Sequence, residues 1–248
     1  VLHDWSVIAQ NLPEHARNPI HTDVGARAAG FPRALVAGVT TYAYLTHPVV
    51  AAWGEAWLER GGGEVRFRRP VFEHDVVECR VEPGGEPGSD AEINAVVVAA
   101  VTAEPEQPRA LFAAVRDARL AAPSWAMRDG EPLPVHEVEL AGEWGSDYGE
   151  RAGDDLDLYA RSGLVHPAVW PALANSVVHA DVARGSWIHT RSIVRHHALA
   201  PAGSVAHVHA VVVRRFQSHG ERAVLDVRID VEGRTVASLE HEAIVALP

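Results

Sequence analysis

The chain has 248 residues, enough for one large domain or two of ~100–150 residues. An apolar fraction of 47% excludes a disordered chain. The 22 basic and 33 acidic residues leave a net charge of −11, which excludes nucleic acid or anionic lipid as partners drawn by the overall field.

The N-terminal stretch "VLHDWSVIAQ" lacks the basic start and apolar centre of a signal peptide, and no run of ~18 apolar residues follows anywhere. A cytoplasmic protein without a membrane span is expected. Residues 39–53, "VTTYAYLTHPVVAAW", are apolar nearly all round and predict a buried helix. Pro48 is expected to kink or divide it, because it removes a backbone donor. The glycines at 61–63 act as a breaker. Four strands are then predicted at 64–71, 75–82, 91–103 and 109–120, joined by turn-forming residues. The single cysteine, Cys79, lies in the second of them and excludes an intrachain disulfide and a cysteine-only zinc site.

Residues 121–134, rich in Pro and small residues, read as a linker. The pattern then repeats. A second apolar helix is predicted at 166–182, and strands at 185–196, 204–216, 221–233 and 234–247. In "VLDVRIDVE" the apolar Val227, Ile229 and Val231 alternate with Asp226, Arg228 and Asp230, a sheet with one dry face and one wet face. The expected architecture is therefore α+β, with an N-terminal unit at 1–120 and a C-terminal unit at 135–248. In each, one apolar helix is wrapped by an antiparallel sheet.

"NPIHTD" (18–23), "ARAAGF" (26–31), "LVAGV" (35–39) and "VRFRRPVFEHDVV" (65–77) occur in an order and spacing that resembles the MaoC-like dehydratases and (R)-specific enoyl-CoA hydratases. That resemblance covers most of residues 11–82 and implies a double hotdog fold. It implies a hydro-lyase that adds water reversibly to a 2-enoyl-CoA, with an acyl-CoA or other acyl thioester as partner, no cofactor, no metal, and room for a homodimer. In that family an Asp–His pair holds and polarises one water, and a backbone N–H at the helix start supports the thioester oxygen. His21 takes the His position, Asn18 the turn-shaping Asn and Gly38 the helix-start donor. The Asp position is Ala16. The cluster Arg66, Arg68 and Arg69 is a candidate for the CoA phosphates and equally for a solvent-facing strand edge with protective charges.

Other residues have plainer readings. Asp23 is an N-cap or first-turn helix acid, and Glu14 and His15 are expected in a solvated loop, projection into the vacant site being the less favoured alternative. His189 and Arg191 are expected on one strand face. With Arg195, His196, His197, His207 and His209 they read as a polar sheet face, zinc being the less favoured alternative. In the second half Asp154 lies over the vacant acid position, Tyr159 over His21, and Pro167, which has no N–H, over Gly38. That half is expected to shape the acyl tunnel. The alternatives to a hydratase are a non-catalytic acyl-thioester binder and, less favoured, a thioesterase. The latter chemistry usually wants an acid on the central helix, and 39–53 has none.

Overall fold

The computed structural model describes residues 1–84, 95–103, 107–116 and 127–247. The first unit opens with β1 (Trp5–Ile8), two short 3-10 turns and α1 (Asp23–Ala28). The apolar run then forms α2 (Gly38–Trp53), followed by α3 (Glu55–Arg60), β2 (Gly62–Phe67), β3 (Val76–Gly84), β4 (Ala95–Thr102) and β5 (Pro108–Val115). Residues 91–94 and 117–120 of the expected strands lie outside the described residues. So do 121–126 of the expected linker, within which 131–132 form β6 (Glu131–Pro132).

The second unit carries β7 (His136–Glu139), α4 (Tyr148–Ala152), α5 (Leu158–Ser162) and α6 (Val169–Val177), the last continued by a π-turn at 178–182. It ends in β8 (Ile188–His196), β9 (Val205–Gln217), β10 (Glu221–Val231) and β11 (Arg234–Ala246). Both meanders were expected from the alternation of apolar and polar residues. The four-residue strands β1 and β7 were not, being too short and half exposed to show a period.

The strands form one 11-stranded sheet in the order β1-β3-β4-β5-β2-β8-β11-β10-β9-β6, with β7 also on β9. Every pairing is antiparallel, and the halves join where β2 pairs with β8, from Gly62↔Arg195 to Arg66↔Arg191. The glycines belong here because a Cβ on Gly62 would sit 2.2 Å from the Val194 carbonyl oxygen and one on Gly63 2.4 Å from that of Ala113. The breaker is thus the seam of the two halves. Helices α2 and α6 share one apolar core with the strands.

Pro48 does not divide α2, which runs unbroken through it. In a helix the Pro48 nitrogen would face the carbonyl of Tyr44, four residues back. The Cys79 thiol on β3 donates to that carbonyl at 3.3 Å, replacing the missing bond. Among the described residues no helix is long and apolar enough to cross a membrane.

Candidate active site

His21 ends the second of two 3-10 turns, Pro13–Arg17 and Pro19–His21, each started by a proline that suits a first helical position. Its Nδ1 lies 2.8 Å from the Leu35 carbonyl, which can only accept. The ring proton therefore sits on Nδ1, and Nε2 carries a free lone pair. Burial pushes the His21 pKa down to about 4, so the ring is a neutral base at physiological pH. Asn11 fixes the same carbonyl through Nδ2 at 2.9 Å, and its Oδ1 accepts the Ala37 N–H at 3.1 Å. This brace, which the sequence did not single out, ties the His21 anchor to the start of α2. Asn18 is buried and donates from Nδ2 to the Trp187 carbonyl at 2.8 Å, tying the motif loop to the second half. Asp23 accepts the Ala34 N–H at 2.9 Å, a structural role.

Ala16 is exposed, whereas its neighbours Glu14 and His15 turn inward. Their expected place in a solvated loop is corrected. The 3-10 turn aims both at the interior, where Glu14 pairs with Arg151 at 2.9 Å and His15 Nε2 meets Thr40 Oγ1 at 3.1 Å. The His15 ring lies 6.1 Å from that of His21. Burial foremost, then the nearby His21, Arg151 and Arg17, pushes the His15 pKa down to about 3.

Two cavities meet at this loop. One, of about 240 Å³, is lined by Gly38, Phe67, Arg68, Arg69 and His189 among others. The other, of about 270 Å³, is lined by Glu14, His15, His136, Trp144 and His179 among others. Asn18, His21, Asn175 and Trp187 border both. As first residue of α2, Gly38 has an N–H with no intrahelical acceptor. It is also the point where α2 approaches β8, since a Cβ there would lie 3.2 Å from His189 Nδ1. Arg68 and Arg69 follow β2 and reach the first cavity. Arg66 does not: strand alternation turns Phe67 to the cavity and Arg66 to the outer face, where it pairs with Glu64 at 2.6 Å.

His189 and Arg191 are likewise not on one face. Glu242 pairs with Arg191 but Ala243 with His189, so Thr190 is the extra residue of a β-bulge. Arg191 turns outward to Glu64 and Glu240. His189 turns inward, as does Ser192 three residues on, and both are buried. His196 is buried against the Trp57 carbonyl, while His207 and His209 face Glu137 and Asp230. The histidines are dispersed in this way and hold no common metal position. One other group among the described residues, His47, Asp154 and Asp155, brings side-chain atoms within 4.8 Å of one another. There His47 Nε2 already hydrogen-bonds Asp155 at 2.7 Å.

The corresponding place in the second half is filled. Asp154 is buried and accepts from His166 Nε2 at 3.1 Å, while His166 Nδ1 accepts the Ala168 N–H at 3.1 Å. Tyr159 packs on the His166 ring at 4.5 Å.

An α+β chain of two helices in one antiparallel sheet, with a histidine and a helix start around a shared cavity, is a double hotdog protein. Residues 14–104 match the family described as "MaoC like domain". The match is confined to the first half of the chain, so it assigns residues 14–104 to a MaoC-like domain, and the fold of the whole chain is that of a double hotdog. A putative MaoC domain dehydratase from Chloroflexus aurantiacus is similar over 98% of this chain and 95% of its own, with a TM-score of 0.66 and 11% identity. A conserved hypothetical protein of Mycobacterium tuberculosis, described as a double hotdog fold, gives the same coverage, score and identity. A putative oleoyl thioesterase from Lactobacillus plantarum matches 100% of this chain and 96% of its own at a TM-score of 0.61 and 11% identity. At such identities these are likenesses of fold. No curated protein matches the sequence.

Proposed function

We propose that this protein adds water reversibly to the double bond of a 2-enoyl-CoA, using His21 as the base and His15 in place of the usual acid. The observation that carries this reading is the pair of neutral, half-buried histidines whose ring centres lie 6.1 Å apart beside the start of α2. That separation leaves room for one water. The substrate threads both cavities: CoA phosphates at Arg68 and Arg69, thioester carbonyl at Gly38, reacting carbons at His21, and acyl group beyond His15.

His15 Nε2–H donates to Thr40 Oγ1, leaving Nδ1 to accept one hydrogen of the water. His21 Nε2 takes the other proton as the water oxygen bonds to C3. The C2–C3 π electrons move onto the thioester, whose oxygen becomes an enolate held by the Gly38 N–H. His21 then returns that proton to C2, and the ring is neutral again. Asn18 contributes by fixing the loop that carries both histidines.

Purified protein mixed with crotonyl-CoA and longer enoyl-CoAs is expected to consume the absorbance of the conjugated thioester. His21→Ala is expected to lose at least ~100-fold in kcat. Persistent absorbance with tight acyl-CoA binding would sink this reading and favour a non-catalytic binder, which Ala16 at the motif's acid position makes the second choice. Release of free thiol would favour a thioesterase, the third choice, as α2 carries no Asp or Glu.

A further inference from the structure

The bulge at Thr190 builds something that the motif residues do not use. His189 Nε2 lies 2.8 Å from Ser192 Oγ, and Ser192 Oγ lies 2.8 Å from His241 Nδ1 on the neighbouring strand. All three side chains are buried, and the two rings sit 4.2 Å apart. Ordinary alternation would have placed residues 189 and 192 on opposite faces. The extra residue puts both on the inner face, and Thr190 Oγ1 pins the bulge by donating to the Glu242 carbonyl at 3.1 Å. The two outer nitrogens of this chain, His189 Nδ1 and His241 Nε2, have no hydrogen-bond partner. Only His189 borders the cavity.

The serine hydroxyl has one proton, so one of the two imidazole nitrogens facing it must carry an N–H and the other must not. In one arrangement His189 Nδ1 is bare and His241 Nε2 holds an N–H sealed in the core without an acceptor. In the other, His241 Nε2 is a bare lone pair and His189 Nδ1–H points to the cavity. Each arrangement leaves one buried N–H without an acceptor. Only in the second does that N–H belong to the ring that borders the cavity, where a bound carbonyl completes it and so selects that arrangement. Burial, then the adjacent His241, holds the His189 pKa well below that of a free imidazole, outweighing a backbone contact with Arg191. The ring is therefore a neutral donor.

We infer that His189 Nδ1–H is a second hydrogen-bond donor to the thioester carbonyl oxygen, beside the Gly38 N–H and held in its tautomer by Ser192 and His241. Its Nδ1 stands 3.2 Å from where a Gly38 Cβ would be, so any atom larger than hydrogen on that glycine would crowd the oxygen's place. Neutral imidazole suits this role, because it polarises the carbonyl without presenting a full charge that would hold the ground state too tightly. This inference rests on the proposed acyl-thioester function but not on turnover, because a saturated acyl-CoA presents the same carbonyl.

The test uses hexanoyl-CoA labelled with carbon-13 at the thioester carbonyl and bound to the full chain, read by difference infrared spectroscopy. The amide nitrogen of Asn reaches about where Nδ1 stands, that of Gln about where Nε2 stands, and Phe fills the space with no donor. The bound carbonyl band is expected at lower frequency in wild type and His189→Asn than in His189→Phe and His189→Gln. With crotonyl-CoA, His189→Phe is expected to lose about 100-fold in kcat with KM within about threefold, and His189→Asn to recover most of it. A purely structural histidine would rank the other way, with Gln, which keeps the Ser192 bond, above Asn. An unshifted band in folded His189→Phe overturns the inference and leaves the hydratase reading standing. Failure of the wild type to bind acyl-CoA overturns both.

Discussion

The two halves place a helix start at matching positions, and they treat it in opposite ways. At Gly38 the helix opens onto a cavity, and no side chain caps it with a hydrogen bond. At α6 the equivalent turn begins with Pro167, which has no N–H, and the next N–H, that of Ala168, is taken by His166. His166 is in turn held by Asp154, and Tyr159 closes over its ring. Every polar group in that set but the Tyr159 hydroxyl has a partner. Around Gly38 the reverse holds: Asn18 Oδ1, Asn175 Oδ1 and His189 Nδ1 are all buried at the cavity with none. Buried polar groups left unpaired by the fold are costly unless a ligand or water completes them. The polar groups around the α6 start are committed to one another, whereas those around the α2 start, drawn from both halves, are left without partners.

The largest effect is expected from making the first half resemble the second. Gly38→Pro removes the helix-start donor while keeping a residue that suits the first turn. Turnover of crotonyl-CoA should fall by about 100- to 1,000-fold. The Phe67 ring, 3.3 Å from the position of the added Cβ, must shift a few tenths of an ångström, so circular dichroism should confirm a folded chain. A folded variant that kept its rate would mean the helix start does not support the thioester oxygen. The converse change, Pro167→Gly, should create no second site, because His166 still caps the helix.

Next in size is the plug itself. His166→Ala would leave the Asp154 carboxylate buried with the Leu156 N–H at 2.8 Å and the His47 Nε2, already bonded to Asp155, at 3.8 Å. Urea denaturation should show a loss of roughly 3 kcal/mol. The rate of the folded enzyme should hardly change. A large loss of rate with unchanged stability would reverse the assignment of the two halves.

Acidity should act on the open half and its supports together. His15 and His241 are pushed down to about 3 and His21 and His196 to about 4, in each case chiefly by burial. Unfolded, each would take up its proton near 6.5. Between about 6.5 and 4 the unfolded chain therefore binds more protons than the folded one. Stability is full above that window and falls as pH drops through it, by at most about 1.4 kcal/mol per pH unit for each histidine. Denaturation midpoints at pH 5 and 7.5 should differ in that direction. Equal midpoints would mean that the rings take up protons as readily in the fold as in the unfolded chain.

How far the sequence could be read follows from the same chemistry. The apolar run of α2 and the alternating strands were legible because each rests on a local period, and His21 and Gly38, which border one cavity, were candidates because they lie in contiguous motifs. Pro48 misled because its remedy, Cys79, lies on another strand. His189 misled because one inserted residue, Thr190, reverses the face of everything before it, and a bulge leaves no mark on a two-residue alternation. Asn11 and the Trp187 carbonyl were invisible because they act through contacts distant in the chain.

The smallest expected effect bears on the position that made the motif look broken. Ala16 stands where the family's acid should be, yet its side chain is exposed while His15 faces the cavity. An aspartate restored there would hang in solvent, too far round the 3-10 turn to touch a water held by His21. Ala16→Asp is therefore expected to change kcat by less than about twofold, an exposed charge being a weak perturbation through screened solvent. His15→Ala, one residue away, should cost about 100-fold. A tenfold gain in Ala16→Asp would show instead that the turn can present residue 16 inward, and that the site is a damaged form of the family's pair rather than one rebuilt around His15.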